Sequence, residues 1–298
     1  MNNSLRSFFV FLFFAAVASG LNAENRPEFK SIGYYKGLKT QPDTLYFKKI
    51  GEEKLRLLVM QPGKPDKKIK RPAMVWIYGG GWTSGSPEGY IPHLRYSAAR
   101  GAVGIALQYR LVAKPGKSSD NKNTINDCIE DCADALQYLR KHAEELGIDP
   151  DKIIVIGDSA GGHLALCLGI LNLPKNAKAN VVINCNGISD MSGKPWINLV
   201  TPGPDQKKMA DQVSPVNFLD ARDAPILTMH GENDKVVLPA DAEKFYQACK
   251  KAGIDTEYIL WPGMRHAFIL TNYTATEEQT TKAIFALDAF LQKRGFLK

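Results

Sequence analysis

The chain has 298 residues, 44% of them hydrophobic and 23% charged, with a formal net charge of +7. Those proportions fit an ordinary globular protein and exclude a disordered or wholly membrane-embedded chain. The basic excess is modest, and Lys67, Lys68 and Lys70 lie in a polar stretch without interleaved aromatics, which reads as solvated surface and speaks against a nucleic-acid partner.

At the N-terminus, Arg6 precedes an uncharged apolar run from Phe8 to Ala18, followed by small residues at Ser19, Gly20 and Ala23. A basic start, a short apolar core and a small-residue exit predict a signal peptide over residues 1–23, cleaved after Gly20 or Ala23. The run is shorter than the ~20 apolar residues of a membrane-spanning helix. The mature protein is therefore expected to be secreted or periplasmic, without stable membrane insertion. Residues 24–298 then read as a single domain.

Two β-like stretches, 44–50 and 54–60, come first, separated by Gly51. The apolar run 73–78 predicts a strand buried on both faces, ending at Gly79-Gly80-Gly81. A helix over 91–100 and a buried strand over 102–109 follow. The stretch 126–146 predicts a long amphipathic helix, with Ile129, Cys132, Leu136 and Leu139 at helical spacing and Gly147 closing it. Strand 152–156 leads through Gly157-Asp158-Ser159-Ala160-Gly161-Gly162 into a helix reaching Gly169. Strand 181–185 is followed by an irregular, proline- and glycine-containing segment, 189–220, long enough to suggest a small cap or lid. Strand 225–229, helix 241–252, strand 256–261 and helix 276–294 complete the chain. Strands alternating with helices predict an α/β fold, with a mostly parallel central sheet and helices on both faces.

The five cysteines cannot pair completely. Cys128 and Cys132 are four apart on one helix, and Cys167, Cys185 and Cys249 fall in apolar regular segments. All five read as buried thiols, and neither a CxxC pair nor a Cys/His cluster suggests a metal.

Gly157-x-Ser159-x-Gly161 is a weak signal alone. Its position between a buried strand and a helix is the arrangement of a nucleophile elbow. The sharp turn needs small residues at its flanks, exposes the Ser159 hydroxyl above the sheet edge, and leaves the Ala160 amide facing a developing oxyanion. A serine hydroxyl needs a base to take its proton, and in this fold the order is Ser, then acid, then His. His230 and His266 lie well beyond Ser159. His266, in a loop after strand 256–261, is placed as the base, whereas His230 ends a strand and is expected to bond the loop that carries the acid. His163 is expected to pack locally, and His93 and His142 to lie on the surface. Asp234 follows strand 225–229 closely enough to curl back to His266; Glu232 and Asp241 are the alternatives. The Gly79, Gly80 and Gly81 amides, with that of Ala160, are the expected oxyanion donors. Trp82, Tyr90 and Trp196 are candidates for a substrate-binding rim.

Together, Tyr78-Gly-Gly-Gly-Trp82, Gln108-Tyr-Arg-Leu111, Gly157-Asp-Ser-Ala-Gly-Gly-His163, Ser214-Pro-Val216 and His230-Gly-Glu-Asn-Asp234 resemble the hormone-sensitive-lipase-like and acetyl xylan esterase-like branch of the α/β-hydrolases. The resemblance spans roughly Thr44 to the C-terminus. It implies a cofactor- and metal-free serine esterase with Ser159, Asp234 and His266 as triad. It departs from the family at Tyr78, where a histidine usually precedes the glycines. With export, the expected substrates are small-molecule or polysaccharide esters carrying short acyl groups, such as acetyl or feruloyl. A prolyl-oligopeptidase-like peptidase shares the triad order, but its esterase-type glycine loop and lack of room for a propeller count against it. A non-catalytic binding module on the same scaffold is the other alternative.

Overall fold

Eight apolar or alternating segments become strands of one sheet in the computed structural model, which describes residues 30–64, 68–113, 122–193, 196, 205–270 and 273–298. The expected signal peptide lies outside the described residues, as does most of the middle of the expected cap. Residues Ser31–Lys298 gather into one compact unit.

The strands are β1 (Asp43–Ile50), β2 (Glu53–Met60), β3 (Arg71–Ile77), β4 (Val103–Leu107), β5 (Ile148–Asp158), β6 (Val181–Cys185), β7 (Ile226–Gly231) and β8 (Thr256–Trp261). Their order across the sheet is β1-β2-β4-β3-β5-β6-β7-β8. The β1–β2 and β2–β4 pairs are antiparallel, and every later pair is parallel. Parallel strands need helical crossovers on both faces, so the central strands must be apolar on both sides. All five residues of β4 and of β6 are buried.

Helices α1 (Ile32–Gly37), α2 (Ile91–Ala99), α3 (Ile125–Lys141), α4 (Ala143–Leu146), α5 (Ala160–Ile170), α6 (Gln206–Gln212), α7 (Pro239–Ala252) and α8 (Glu277–Lys293) supply the covering layers. Reciprocal capping boxes start α3, at Thr124 and Asp127, and α8, at Thr276 and Gln279, satisfying amides that a helix start leaves unpaired. Every residue of α5 is buried, as its unbroken apolar sequence requires. The long helix expected over 126–146 instead breaks at His142, and α4 ends on Gly147 at φ 64°.

The chain passes from β3 outward to β4 and returns beyond β3 to β5, so β3 and β5 become parallel neighbours with Ile77 opposite Gly157. At such a reversal, the loops leaving the carboxyl ends of the two strands enclose a crevice where ligands of open α/β sheets bind. The glycine loop after β3 and the elbow after β5 meet there.

All five cysteines are free and buried, as the sequence predicts. His93 is not on the surface: it is fully buried, with Nε2 2.9 Å from the Ile269 carbonyl and its ring 4.7 Å from that of Trp76. Its helical segment presents that face to the sheet, which spacing around one histidine did not reveal.

Candidate active site

Ser159 stands between β5 and α5 at φ 52° and ψ −122°, a conformation costly for a side-chain-bearing residue and retained where the surroundings over-determine it. The surroundings are tight. A Cβ on Gly157 would lie 2.1 Å from the Gly161 carbonyl oxygen, and one on Gly161 would lie 2.1 Å from that of Ile77. Only glycine fits either position. The Ser159 amide donates to the Cys185 carbonyl at 3.0 Å, fixing the elbow to β6.

Two further loops converge on the Ser159 hydroxyl. His266, in the loop between β8 and α8, places Nε2 2.9 Å from Ser159 Oγ and Nδ1 2.7 Å from Asp234 Oδ2. The hydroxyl of Thr274 donates to the His266 carbonyl and ties that loop back on itself. Asp234 follows β7 and is almost fully buried. Its Oδ1 accepts the Val236 and Val237 amides at 2.8 and 3.0 Å. Burial pushes the Asp234 carboxyl up, but hydrogen bonds from His230 and His266, the His266 charge and the Val236 amide outweigh it and hold the group well below the usual carboxylate range. Of the three acids considered for this role, Asp234 is the one hydrogen-bonded to His266; the Glu232 carboxylate instead accepts the Gly263 amide at 3.1 Å.

His230, expected at the acid's loop, has its Nε2 2.9 Å from the Val237 carbonyl and 3.2 Å from Asp234 Oδ2. His163 packs locally, with Nε2 2.7 Å from the Val213 carbonyl; burial lowers its pKa to about 4. That contact ties α5 to the end of the segment after β6. The same segment is clasped at its base, where Met191 donates to Ser214 Oγ at 2.7 Å and Val216 to the Ser189 carbonyl at 3.1 Å.

The expected oxyanion donors divide. The Gly79 amide donates to Asp158 Oδ1 at 3.1 Å, so it is committed to a buried carboxylate and leaves the donor set. Gly80 and Gly81 adopt φ 106° and 60°, which turn the backbone sharply, while the Gly80 carbonyl anchors the loop by accepting Thr83 and Ser84 amides at 3.2 and 3.1 Å. Ala160 N–H, at the first position of α5, lies where a helix leaves its amides without intrahelical partners.

The substitution at Tyr78 is accommodated by a reciprocal clasp. Tyr78 stacks on Tyr109 with centroids 4.4 Å apart; its hydroxyl donates to the Tyr109 carbonyl at 3.1 Å, and the Tyr109 hydroxyl donates to the Tyr78 carbonyl at 3.0 Å. The glycine loop is thus held at its root without a histidine. Burial pushes the Tyr78 phenol well up, keeping it neutral and able to donate.

Two of the three aromatics expected at a substrate rim are not on it. Tyr90 is buried against Trp76 and bonds to Asp158. Trp82, at φ 58°, is also fully buried and packs edge-on against His163 at 5.2 Å. Large rings this close to the loop root fill space beneath it. Trp196 is partly exposed and meets Trp82 at 6.4 Å, so it alone of the three reaches solvent. Among the described residues, no group of three or more His, Cys, Asp or Glu side chains is placed to hold a metal ion.

Among known proteins, the chain is similar to carboxylic ester hydrolases. LipM of Mycobacterium tuberculosis, a probable carboxylic ester hydrolase, is 28% identical over 222 residues; the match covers 67% of this chain and 50% of LipM, so the chain spans half the length of that relative. The carboxylesterase NlhH, also from M. tuberculosis, is 27% identical, with 68% of this chain and 50% of NlhH covered. Among solved structures, Thermogutta terrifontis esterase 2 phosphonylated by cyclosarin superposes with a TM-score of 0.76 at 30% identity, covering 86% of this chain and 95% of that one; the same esterase has also been solved with propionate bound, at a TM-score of 0.76 and 30% identity, with coverages of 88% and 98%. The BD-FAE family model matches residues 60–249, which takes in the glycine loop, the elbow and the acid's loop, and the chain belongs to the BD-FAE family of α/β-hydrolases.

Proposed function

We propose that the protein is an exported serine carboxylic ester hydrolase that acts through an acyl-enzyme on short acyl esters. The observation that carries this reading is the unbroken hydrogen-bonded chain from Ser159 Oγ through His266 to Asp234, beside a glycine loop and a helix start that offer amides. In the proposed sequence, Ser159 Oγ attacks the ester carbonyl carbon while His266 Nε2 takes its proton. Asp234 holds the imidazole tautomer and balances the imidazolium. The negative oxygen of the tetrahedral intermediate is met by the Gly80, Gly81 and Ala160 amides, each such donor contributing a few kcal/mol of transition-state stabilisation. His266 then returns the proton to the departing alkoxide, and water repeats the cycle to release the acid.

The ester preference is supported by the relatives' names, and a short acyl group by the propionate-bound form of the thermophilic esterase. Export is supported by the signal-like sequence at residues 1–23, and an exported enzyme of this kind is suited to acetyl or feruloyl groups on polysaccharide. The test is acid release from acetylated xylan, a feruloyl ester and a small aryl acetate by the mature protein. Hydrolysis of the aryl acetate with acetate or ferulate release from the polymer supports the full reading. Folded protein inactive on all three contradicts it.

A further inference from the structure

Asp158 precedes the nucleophile, yet the triad chemistry does not use it. The carboxylate is only 2% exposed, and taking such a group out of water is costly unless donors fill its lone pairs. Two donors converge on Oδ1: the Tyr90 hydroxyl and the Gly79 amide. Burial raises the Asp158 pKa above the usual carboxylate range, outweighing the Tyr90 hydroxyl, the His266 charge and the Gly79 amide, which pull it down.

Both partners are immobilised. Tyr90 stacks on Trp76 at 5.5 Å and abuts the His93 ring at 4.9 Å; His93 in turn contacts the Ile269 carbonyl of the loop that carries the base. Gly79 lies so close to the carboxylate that an added Cβ would be 2.7 Å from Asp158 Oδ2 and 3.1 Å from the Ser159 Cβ. One carboxylate thus joins the root of the glycine loop, the elbow and a wedged phenol.

We propose that Asp158 and Tyr90 form a positioning pair that locks the Gly79–Gly81 loop against the nucleophile elbow, setting the Gly80 and Gly81 amides at the oxyanion. The inference rests on the ester-hydrolase reading above. The pair makes no contact with substrate. It acts by fixing the donors, and donors fixed before reaction cost no reorganisation in the transition state.

The experiment compares wild type, Asp158→Asn, Tyr90→Phe and the double variant. An aryl acetate gives kcat and KM, and a fluorophosphonate gives the rate of Ser159 modification. Displaced donors weaken the transition state and not ground-state binding, so Asp158→Asn is expected to lower kcat by about 10–100-fold with KM within about twofold. A merely structural aspartate would not confine its loss to kcat in this way. Tyr90→Phe lowers kcat in the same sense by a smaller factor, and the double variant is no worse than Asp158→Asn, as expected for groups acting as one unit. Variants with kcat within twofold of wild type overturn the proposal, and so do effects that multiply. Should Asp158→Asn not fold, Tyr90→Phe decides alone, and a wild-type kcat there overturns it. Wild-type turnover abolished by Ser159→Ala upholds the ester-hydrolase reading whatever these variants do; a wild type inert to both probes sinks that reading instead.

Discussion

Replacing Gly157 by alanine tests whether the elbow's geometry, and not just its residue types, sets reactivity. The added Cβ would lie 2.1 Å from the Gly161 carbonyl oxygen and 2.3 Å from its carbon. Relief to ordinary contact requires a separation of more than about 1 Å. Both clashing atoms are backbone at the start of α5, which is buried on all sides and cannot swing away. The strain therefore falls on Ser159, between the two glycines. Overpacking of this kind costs about 1–3 kcal/mol of stability, and a displacement of ~1 Å at a reacting group costs about 100-fold in rate. The assay pairs thermal unfolding with kcat on an aryl acetate. Gly157→Ala is expected to melt a few degrees lower and to lose about two orders of magnitude in kcat. Gly37→Ala, where an added Cβ meets nothing within 4 Å, serves as the control and keeps both. Wild-type turnover by folded Gly157→Ala would show that the elbow's geometry does not set reactivity.

Other outcomes follow from the same structure. Asp234→Asn removes the charge that balances the imidazolium, so kcat should fall by about 10³–10⁴-fold in steady-state kinetics; because the buried carboxylate is held ionised by its donors, the melting temperature should fall too, measured by calorimetry. His93 and His163 are fully buried, and burial lowers each to about 4 from an ordinary 6.5. The unfolded chain therefore binds more protons below pH 6.5, and stability present at neutral pH should drain away as pH falls from about 6.5 to 4, by at most about 3 kcal/mol per histidine; denaturant titrations at pH 7 and pH 4.5 measure it. Arg110 bonds Asp131 through Nε at 2.8 Å and Asp127 through Nη1 at 2.9 Å, while the Asp131 side chain is fully buried. Lys48 Nζ, 2.7 Å from Asp131 Oδ1, still balances that carboxylate, so Arg110→Ala should cost less than the about 3–5 kcal/mol of an uncompensated buried charge, measured by denaturant titration.

The sheet was legible because its central strands are short apolar runs bounded by glycine or polar residues. Val181–Cys185 and Thr256–Trp261 coincide with the expected stretches, and other boundaries move by a few residues where pairing extends an edge, as at Ile148–Asp158. Helix α1 escaped notice because six residues, only Ile32 and Tyr35 of them buried, carry no measurable period. The break at His142 was hidden because apolar spacing continues through Ala143 and Leu146.

At the site, Ser159, Asp234 and His266 could be found from chain order and from their places after strands. The division among the glycine amides could not, since it depends on Asp158 crossing from β5 to the β3 loop. The aromatic rim was misjudged for a related reason: a tyrosine or tryptophan near a glycine loop looks the same in sequence whether it faces solvent or fills the space below. The short polar-looking segment around Tyr90 gave no sign that Trp76 and His93 would enclose it. What replaces the family's histidine was likewise invisible, because Tyr78 and Tyr109 are distant in sequence and meet only through β3–β4 pairing.

In the proposed function, His266, backed by Asp234, makes the Ser159 hydroxyl a nucleophile. Treatment of the mature protein with a fluorophosphonate, followed by intact-mass and peptide mass spectrometry, tests it directly. A single adduct is expected on the peptide containing Ser159, with no adduct in Ser159→Ala and labelling slowed by orders of magnitude in His266→Ala. An adduct at another residue, or equal labelling of wild type and Ser159→Ala, would contradict it.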